Sequence, residues 1–420
     1  MQNIKPREKV AIIESLKAGI VPKIGLRHIQ VGRKAEINEI INDLNIISDD
    51  GAKVRFIIGD YGSGKTFFLT LAKLIAHEKN FVVLNADITE DKILSSSDGR
   101  AQNLFSELIS NMSIKSKADG GALKAVIERW INNVLNGRET ITFAEVHKLL
   151  SPLEEYTSSY DFCGVLSQYI TAYFECDDFK MSNCIKWLKA EYNTKTEARQ
   201  DLGVRTIIND DNFYDYLKLF AKFTKLAGFS GLLVNIDELA VVSRIKKQLR
   251  DKNFERILTI INDCLQGSAQ NIEFIFGGTV EFLEDEYKGM YSYGALRSRL
   301  ADNQFSTDDC RDLSGLVIRL QNLTQEELYV LLQNIRNVFA EYDVNKYLVN
   351  DSEIEIYMKY ILGKLGASAF LSPRESVKGF VGLLVQLQNN PDKNIEYFIG
   401  KQQKEVEKTD EFDGFDFGSL

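Results

Sequence analysis

The residues best suited to chemistry form one run, Gly59-Asp60-Tyr61-Gly62-Ser63-Gly64-Lys65-Thr66. It fits G-x-x-x-x-G-K-[ST], a spacing that suits a polyphosphate. A chain of phosphates needs several donors converging on one small volume. Gly62 and Gly64 let the backbone curl without Cβ clashes. Successive N–H groups then turn inward at the positive end of a following helix. Lys65 reaches the β- and γ-phosphates, and Thr66 offers its hydroxyl to Mg²⁺. The alternative is a chance glycine-rich turn, and the flanks argue against it. VRFIIG (54–59) reads as a buried parallel strand, and FFLTLAKLIAHE, after Thr66, reads as a helix.

A second buried-strand pattern, GLLVNIDE (231–238), ends in Asp237-Glu238. An acidic pair at the carboxyl end of a parallel strand sits where doubly wound sheets bind ligands. Two tasks need two carboxylates, because one committed to a cation is a poor base. Asp237 is expected to hold Mg²⁺ through water and Glu238 to orient and polarise the attacking water. FVVLNAD (81–87) and NIEFIFGGT (271–279) read as neighbouring strands, with Asn85 and Thr279 at their ends. Each of these polar residues either approaches the γ-phosphate rim or is a satisfied loop group.

These elements need a scaffold, and 420 residues suffice for one large α/β domain plus a smaller one. Hydrophobic residues make up 44% and charged residues 26%, an ordinary globular balance. No window approaches a spanning helix, and the charged start MQNIKPREKVAIIE lacks the apolar core of a secretion signal. A cytoplasmic protein without membrane contact is expected. Cys163, Cys176, Cys184, Cys264 and Cys310 match neither a paired zinc site nor a disulfide scaffold, and read as reduced thiols in or near a core. Three scattered histidines offer no metal or nucleophile site. The net charge of −9 is a poor bulk match to DNA, although a local basic groove is compatible with it.

The clearest basic run is SRIKKQLRDKNFER (243–256). Arg244, Lys246 and Lys247 are expected to share part of a helix face with Arg250, as a phosphate-contacting surface or simply a solvated face. In DEYKGMYSYGALRSRL (285–300), Arg297 and Arg299 are candidates to meet a neighbouring copy's nucleotide; the alternative is surface pairing with acids such as Asp285 and Asp302. Amphipathic patterns such as GALKAVIERWINNVL and FYDYLKLFAKFTKLAG fill roughly residues 100–220. They are a helical insertion, either for partner docking or as packed elaboration. The tail from Asp410 alternates acids with Phe412, Phe415 and Phe417. It suits docking into a basic groove, or is a frayed end.

Together these features resemble the AAA+ ATPases, especially the origin-recognition/Cdc6-like and STAND branches, over most of residues 25–390. Val31-Gly32-Arg33, followed by Glu36, is similar to the segment that touches adenine in that branch. Gly59–Thr66 matches Walker A and Leu232–Glu238 matches Walker B. Asn85 fits the polar residue that senses partners and positions the catalytic glutamate, and Thr279 fits sensor 1. LSGLVIRLQNLTQEEL (313–328) is similar to the passage from sheet to helical lid. Ser372-Pro373-Arg374-Glu375 resembles the start of the sensor 2 helix, which would bring Arg374 to the γ-phosphate. More narrowly, GDYGSGKTFFL, the late NIDE strand, SYGALRSRL and the PRE helix resemble the bacterial BREX-type ATP-binding proteins of phage-defence islands.

That resemblance implies a P-loop, AAA+-like α/β fold. Residues 1–98 and 221–318 would form the core, 99–220 an insertion, 319–400 a lid and 401–420 a tail. It implies ATP and Mg²⁺ as cofactors, antiviral defence, a homo-oligomer, DNA as the ultimate object, and a protein partner such as a helicase. The expected function is ATP-driven remodelling or loading of a partner on DNA. The alternative is a nucleotide-gated interaction scaffold with very slow turnover. A small-molecule kinase is disfavoured, because no acceptor pocket motif is present.

Overall fold

The computed structural model describes residues 4–138, 141–156, 158–307, 310–363 and 373–401. Ser372 and the acidic-aromatic tail lie outside these residues. The chain divides into two compact units. One comprises residues 34–59 and 68–319, the other residues 1–33, 60–67 and 320–420.

The larger unit is built on a five-stranded sheet: β1 (Ala52–Ile58), β2 (Val82–Asp87), β3 (Leu232–Asp237), β4 (Ile272–Gly278) and β5 (Val317–Arg319). The order is β2-β3-β4-β1-β5 and every pairing is parallel. Parallel strands are covered on both faces, which is why β3 and β4 are buried at every position. Because all strands run the same way, their carboxyl ends line one edge. Strand order reverses at β1, which lies between β4 and β5, and such switch points are where open α/β sheets bind ligands.

Helices α2 (Lys34–Ser48) and α3 (Lys65–Glu78) flank β1 in sequence, with α2 packed against β1 and β4. Between β2 and β3 come α4 (Arg100–Ser110), α5 (Leu123–Leu135), α6 (Phe143–Leu150), α7 (Ser159–Glu175), α8 (Asp178–Leu188), α9 (Lys195–Leu202) and α10 (Phe213–Leu226). Amphipathic spacing is strong in α4, α5, α6 and α10 and weaker in α7, α8 and α9, and apolar side chains of the set join the sheet's core through Trp130, Phe162, Trp187 and Phe220. α4 lies against β2 and α10 against β3. α11 (Lys247–Gln266) packs against β1, and α12 (Val280–Glu284) and α13 (Gly294–Leu300) follow β4.

The sheet also buries charge. Arg55 of β1 is 2% exposed and donates to Asp43 of α2 at 2.6 and 2.8 Å, with a further bond to Glu39 at 2.9 Å. Glu273, opposite Lys53 on β4, is fully buried, and neither carboxyl oxygen has a hydrogen-bond partner among the described residues. Burial, and then the negative charge of Asp43, push its carboxyl well above the usual range, while Arg55 and Lys53 pull the other way. The folded chain therefore keeps a proton that the unfolded chain has already released. Stability from this group is complete below the ordinary glutamate value and is lost as pH rises toward the raised one. Denaturant titrations at about pH 5 and about pH 8 should show the wild type losing stability relative to Glu273→Gln as pH rises. The opposite trend would mean that Glu273 is ionised and paired.

The smaller unit gathers α1 (Pro6–Lys17), α14 (Gln325–Phe339), α15 (Asp351–Gly363) and α16 (Pro373–Asn389) around an apolar core of Ile12, Leu332, Ile335, Phe380 and Leu384. α1 packs against α14 and α16. Thr324 and Glu327 form a reciprocal capping box that starts α14. Phe67, from the first turn of α3, packs against this core.

Candidate nucleotide site

The carboxyl edge of the sheet collects acids. Register places Asp87 beside Asp237 and Asn85 beside Asn235 on the paired strands β2 and β3. Asp237 is buried, and its Oδ1 accepts from the Glu238 backbone N–H at 2.9 Å. Glu238 takes a left-handed conformation (φ 58°), which ends β3 and leaves its carboxylate exposed. Gly277 of β4 is what gives Asp237 room: a Cβ there would overlap the Asp237 carboxylate. The Asp87 carboxyl is held above the usual range, first by desolvation and then by the charges of Asp237 and Glu238.

The Asn235 amide donates to Asn85 Oδ1 at 3.2 Å and to the Leu69 carbonyl of α3 at 3.3 Å. These amides tie β2 and β3 to that helix. Thr279 uses its hydroxyl oxygen to cap α12, accepting from Phe282 N–H at 3.1 Å. The Gly59 N–H donates to the Gly278 carbonyl at 3.2 Å where β1 ends.

The glycine-rich loop follows β1 and runs into α3. Gly62 and Gly64 sit at φ 83° and 94°, and a Cβ on Gly64 would meet nothing within 4 Å. The curl and the open space above it fit a phosphate cradle. Lys65 Nζ donates to the Asp60 carbonyl at 2.8 Å. Ser63 is buried and its hydroxyl has no partner among the described residues. Thr66 is exposed and Val31 half-buried.

Two arginines of the smaller unit meet the loop. Arg374, at the start of α16, donates to the Tyr61 hydroxyl at 2.9 Å. Arg33 donates to the Ser63 carbonyl at 3.2 Å and also to the Gln321 carbonyl. Among the described residues no three His, Cys, Asp or Glu side chains form a metal cage. A Mg²⁺ bound by one carboxylate, a hydroxyl and phosphates does not need one. Asp87, Asn235 and Gly277 are absent from the sequence-derived site, although the matched Asn-x-Asp endings of FVVLNAD and LLVNID, and the small pair in FGGT, carried the signal.

Other expectations change. The basic run is not one helix: Leu239–Arg244 is a 3-10 turn and α11 begins only at Lys247. Arg250 is buried and donates to the Tyr287 carbonyl at 3.3 Å, so it shares no exposed face with Arg244. Arg256 lies over the Phe213 ring. Arg244, Lys246, Lys247 and Lys252 remain exposed. Arg297 is exposed and paired with Glu286 at 2.9 Å, and Arg299 bonds Asn262 at 3.0 Å. All five cysteines are free, but Cys176 and Cys310 are exposed rather than core thiols.

A parallel sheet with helices around it and a glycine-rich loop after β1 make an α/β fold consistent with a P-loop NTPase of AAA+-like arrangement. The chain belongs to the family of the BREX system ATP-binding protein BrxC/D, whose profile matches residues 4–403. No curated protein matches it. Among the described residues no helix is long and apolar enough to cross a membrane.

Proposed function

We propose that the protein binds ATP with Mg²⁺ and hydrolyses it, and that this cycle remodels or loads a partner on DNA in antiviral defence. Family membership supports ATP binding and the defence role. The observation that carries hydrolysis is the Asp237–Glu238 pair at the end of β3, with Gly277 leaving space for the first carboxylate.

ATP brings the transferable phosphoryl group, and its Mg²⁺ neutralises phosphate charge. The chain supplies position and polarity. Backbone N–H groups of the turn after Gly59 and the Lys65 ammonium would hold the phosphates. Thr66 and Asp237 hold the cation. Glu238 accepts a proton from the attacking water, a task open to it because Asp237 takes the metal. Asn85 would orient Glu238, Thr279 and Arg374 would address the γ-phosphate, and Val31 and Gly32 would lie toward the base. Arg297 or Arg299 acts across a homo-oligomer contact. In this reading residues 99–220 are an insertion and 319–400 a lid.

Placing a methyl on Gly277 should displace the Asp237 carboxylate. Gly277→Ala is expected to lower ATP turnover by roughly 10²-fold, the scale of a small misplacement in a reacting site, while the melting temperature stays near that of the wild type. Unchanged turnover in a folded variant would remove Asp237 from the residues that hold the cation.

The second reading, a nucleotide-gated scaffold, draws on the bonds of Lys65 to Asp60 and of Arg374 to Tyr61, which hold both cations against the loop. Steady-state hydrolysis with and without single- and double-stranded DNA separates the two. DNA-stimulated turnover supports the loader. Tight binding with negligible turnover under all conditions supports the scaffold.

A further inference from the structure

We infer that Arg33 is a positioning residue: it sets the phosphate loop by holding the loop's outward carbonyl, and so governs affinity for the phosphates rather than for the base. The inference rests on nucleotide binding at Gly59–Thr66. It begins with a requirement of the loop itself. When successive N–H groups converge on a phosphate, the carbonyls of the same peptides turn away from it. Each such carbonyl needs a donor, because a backbone acceptor left unpaired away from water is costly.

Arg33 supplies that donor for Ser63, in the middle of the loop, at 3.2 Å. Ser63 is 2% exposed, so water is a poor substitute there. The same guanidinium nitrogen also donates to the Gln321 carbonyl, just before the Thr324 cap of α14. The two hydrogens of that nitrogen lie in the guanidinium plane at fixed directions, so the planar group holds two acceptors at set positions, which a rotating ammonium does not.

The backbone of this segment is specialised for the same position. Arg33 is left-handed at φ 62°, an uncommon conformation for a residue with a Cβ. Gly32 precedes it at φ 65°, and a Cβ on Gly32 would overlap the carboxylate of Glu327, the capping-box acid of α14. Glu327 accepts from the Thr324 N–H at 3.0 Å and has little freedom to retreat. Gly32 thus seats the segment on the first turn of α14, and Arg33 reaches from there to the loop. A guanidinium engaged with two backbone carbonyls is oriented by the protein and not by a purine.

The test separates a loop anchor from a base contact. ATP, GTP and inorganic tripolyphosphate are titrated by calorimetry into the full chain, wild type and Arg33→Ala, well below the melting temperature. Loss of the anchor should weaken all three by the same factor, about tenfold for one hydrogen bond to a charged donor, and should raise KM for ATP while leaving kcat within about twofold. Loss for ATP with tripolyphosphate unchanged would overturn the inference and make Arg33 a base contact. Unchanged affinity for all three would also overturn it. If Arg33→Ala fails to fold, Arg33→Lys and Gly32→Ala carry the same test: the first offers no planar pair of donors at fixed directions, and the second unseats the segment with the guanidinium intact. A wild type that binds none of the three contradicts the nucleotide site itself, which is a different result from a wild type that binds and a variant that does not care.

Discussion

Replacing Lys65 by alanine should weaken ATP binding by roughly 10²-fold, because one ammonium that bonds two phosphates contributes charge-assisted hydrogen bonds of about 1.5–3 kcal/mol each. The loss should be larger for ATP than for ADP, since the γ-phosphate is one of the partners. The fold should survive. Lys65 is half-exposed, and its hydrogen bond to the Asp60 carbonyl joins two residues of the same loop. Calorimetric titration with both nucleotides, with a melting curve as control, measures this. Equal affinity of wild type and variant would mean that the loop does not hold phosphate.

Glu238→Gln should act on the other side of the cycle. Turnover should fall by about 10² to 10⁴-fold, the range for removing a positioned general base, while ATP affinity stays close to that of the wild type. The separation follows from geometry. Glu238 leaves β3 in a left-handed turn with its side chain exposed, whereas Asp237 is buried beneath it beside Gly277. The exposed acid is available to water and the buried one to the cation. A variant that loses binding and turnover together would assign the metal to Glu238 as well.

The sheet was legible because its strands advertise themselves. VRFIIG, FVVLNAD, LLVNID and NIEFIFGG are short, β-branched and nearly free of charge, as strands covered on both faces must be. The loop proposed to hold phosphate stood out because its pattern is local: eight consecutive residues carry it. Asp87 did not stand out, since only the register sets it beside Asp237, and strand neighbours far apart in sequence leave no local trace. Gly277 escaped for the same reason, because its lack of a side chain matters only when the Asp237 carboxylate lies across it.

The basic run misled because charge count says nothing of direction. Arg250 falls on the buried side of α11, with Phe254 and Ile257 one and two turns on, and the turn at Leu239–Arg244 breaks the periodicity on which a common face depends. The packing of α1 on α14 and α16 joins segments more than three hundred residues apart. An amphipathic helix announces that it has a partner, not which one.

The first experiment is a titration of the purified wild-type chain with ATP, in Mg²⁺ and in chelator, followed by a product assay on the same samples. The expected result is one saturable site that Mg²⁺ strengthens, with ADP and phosphate formed by the wild type and almost none by Glu238→Gln. A folded wild type that binds no ATP in Mg²⁺ would rule out a phosphate cradle at Gly59–Thr66 and, with it, the role assigned to every residue around it.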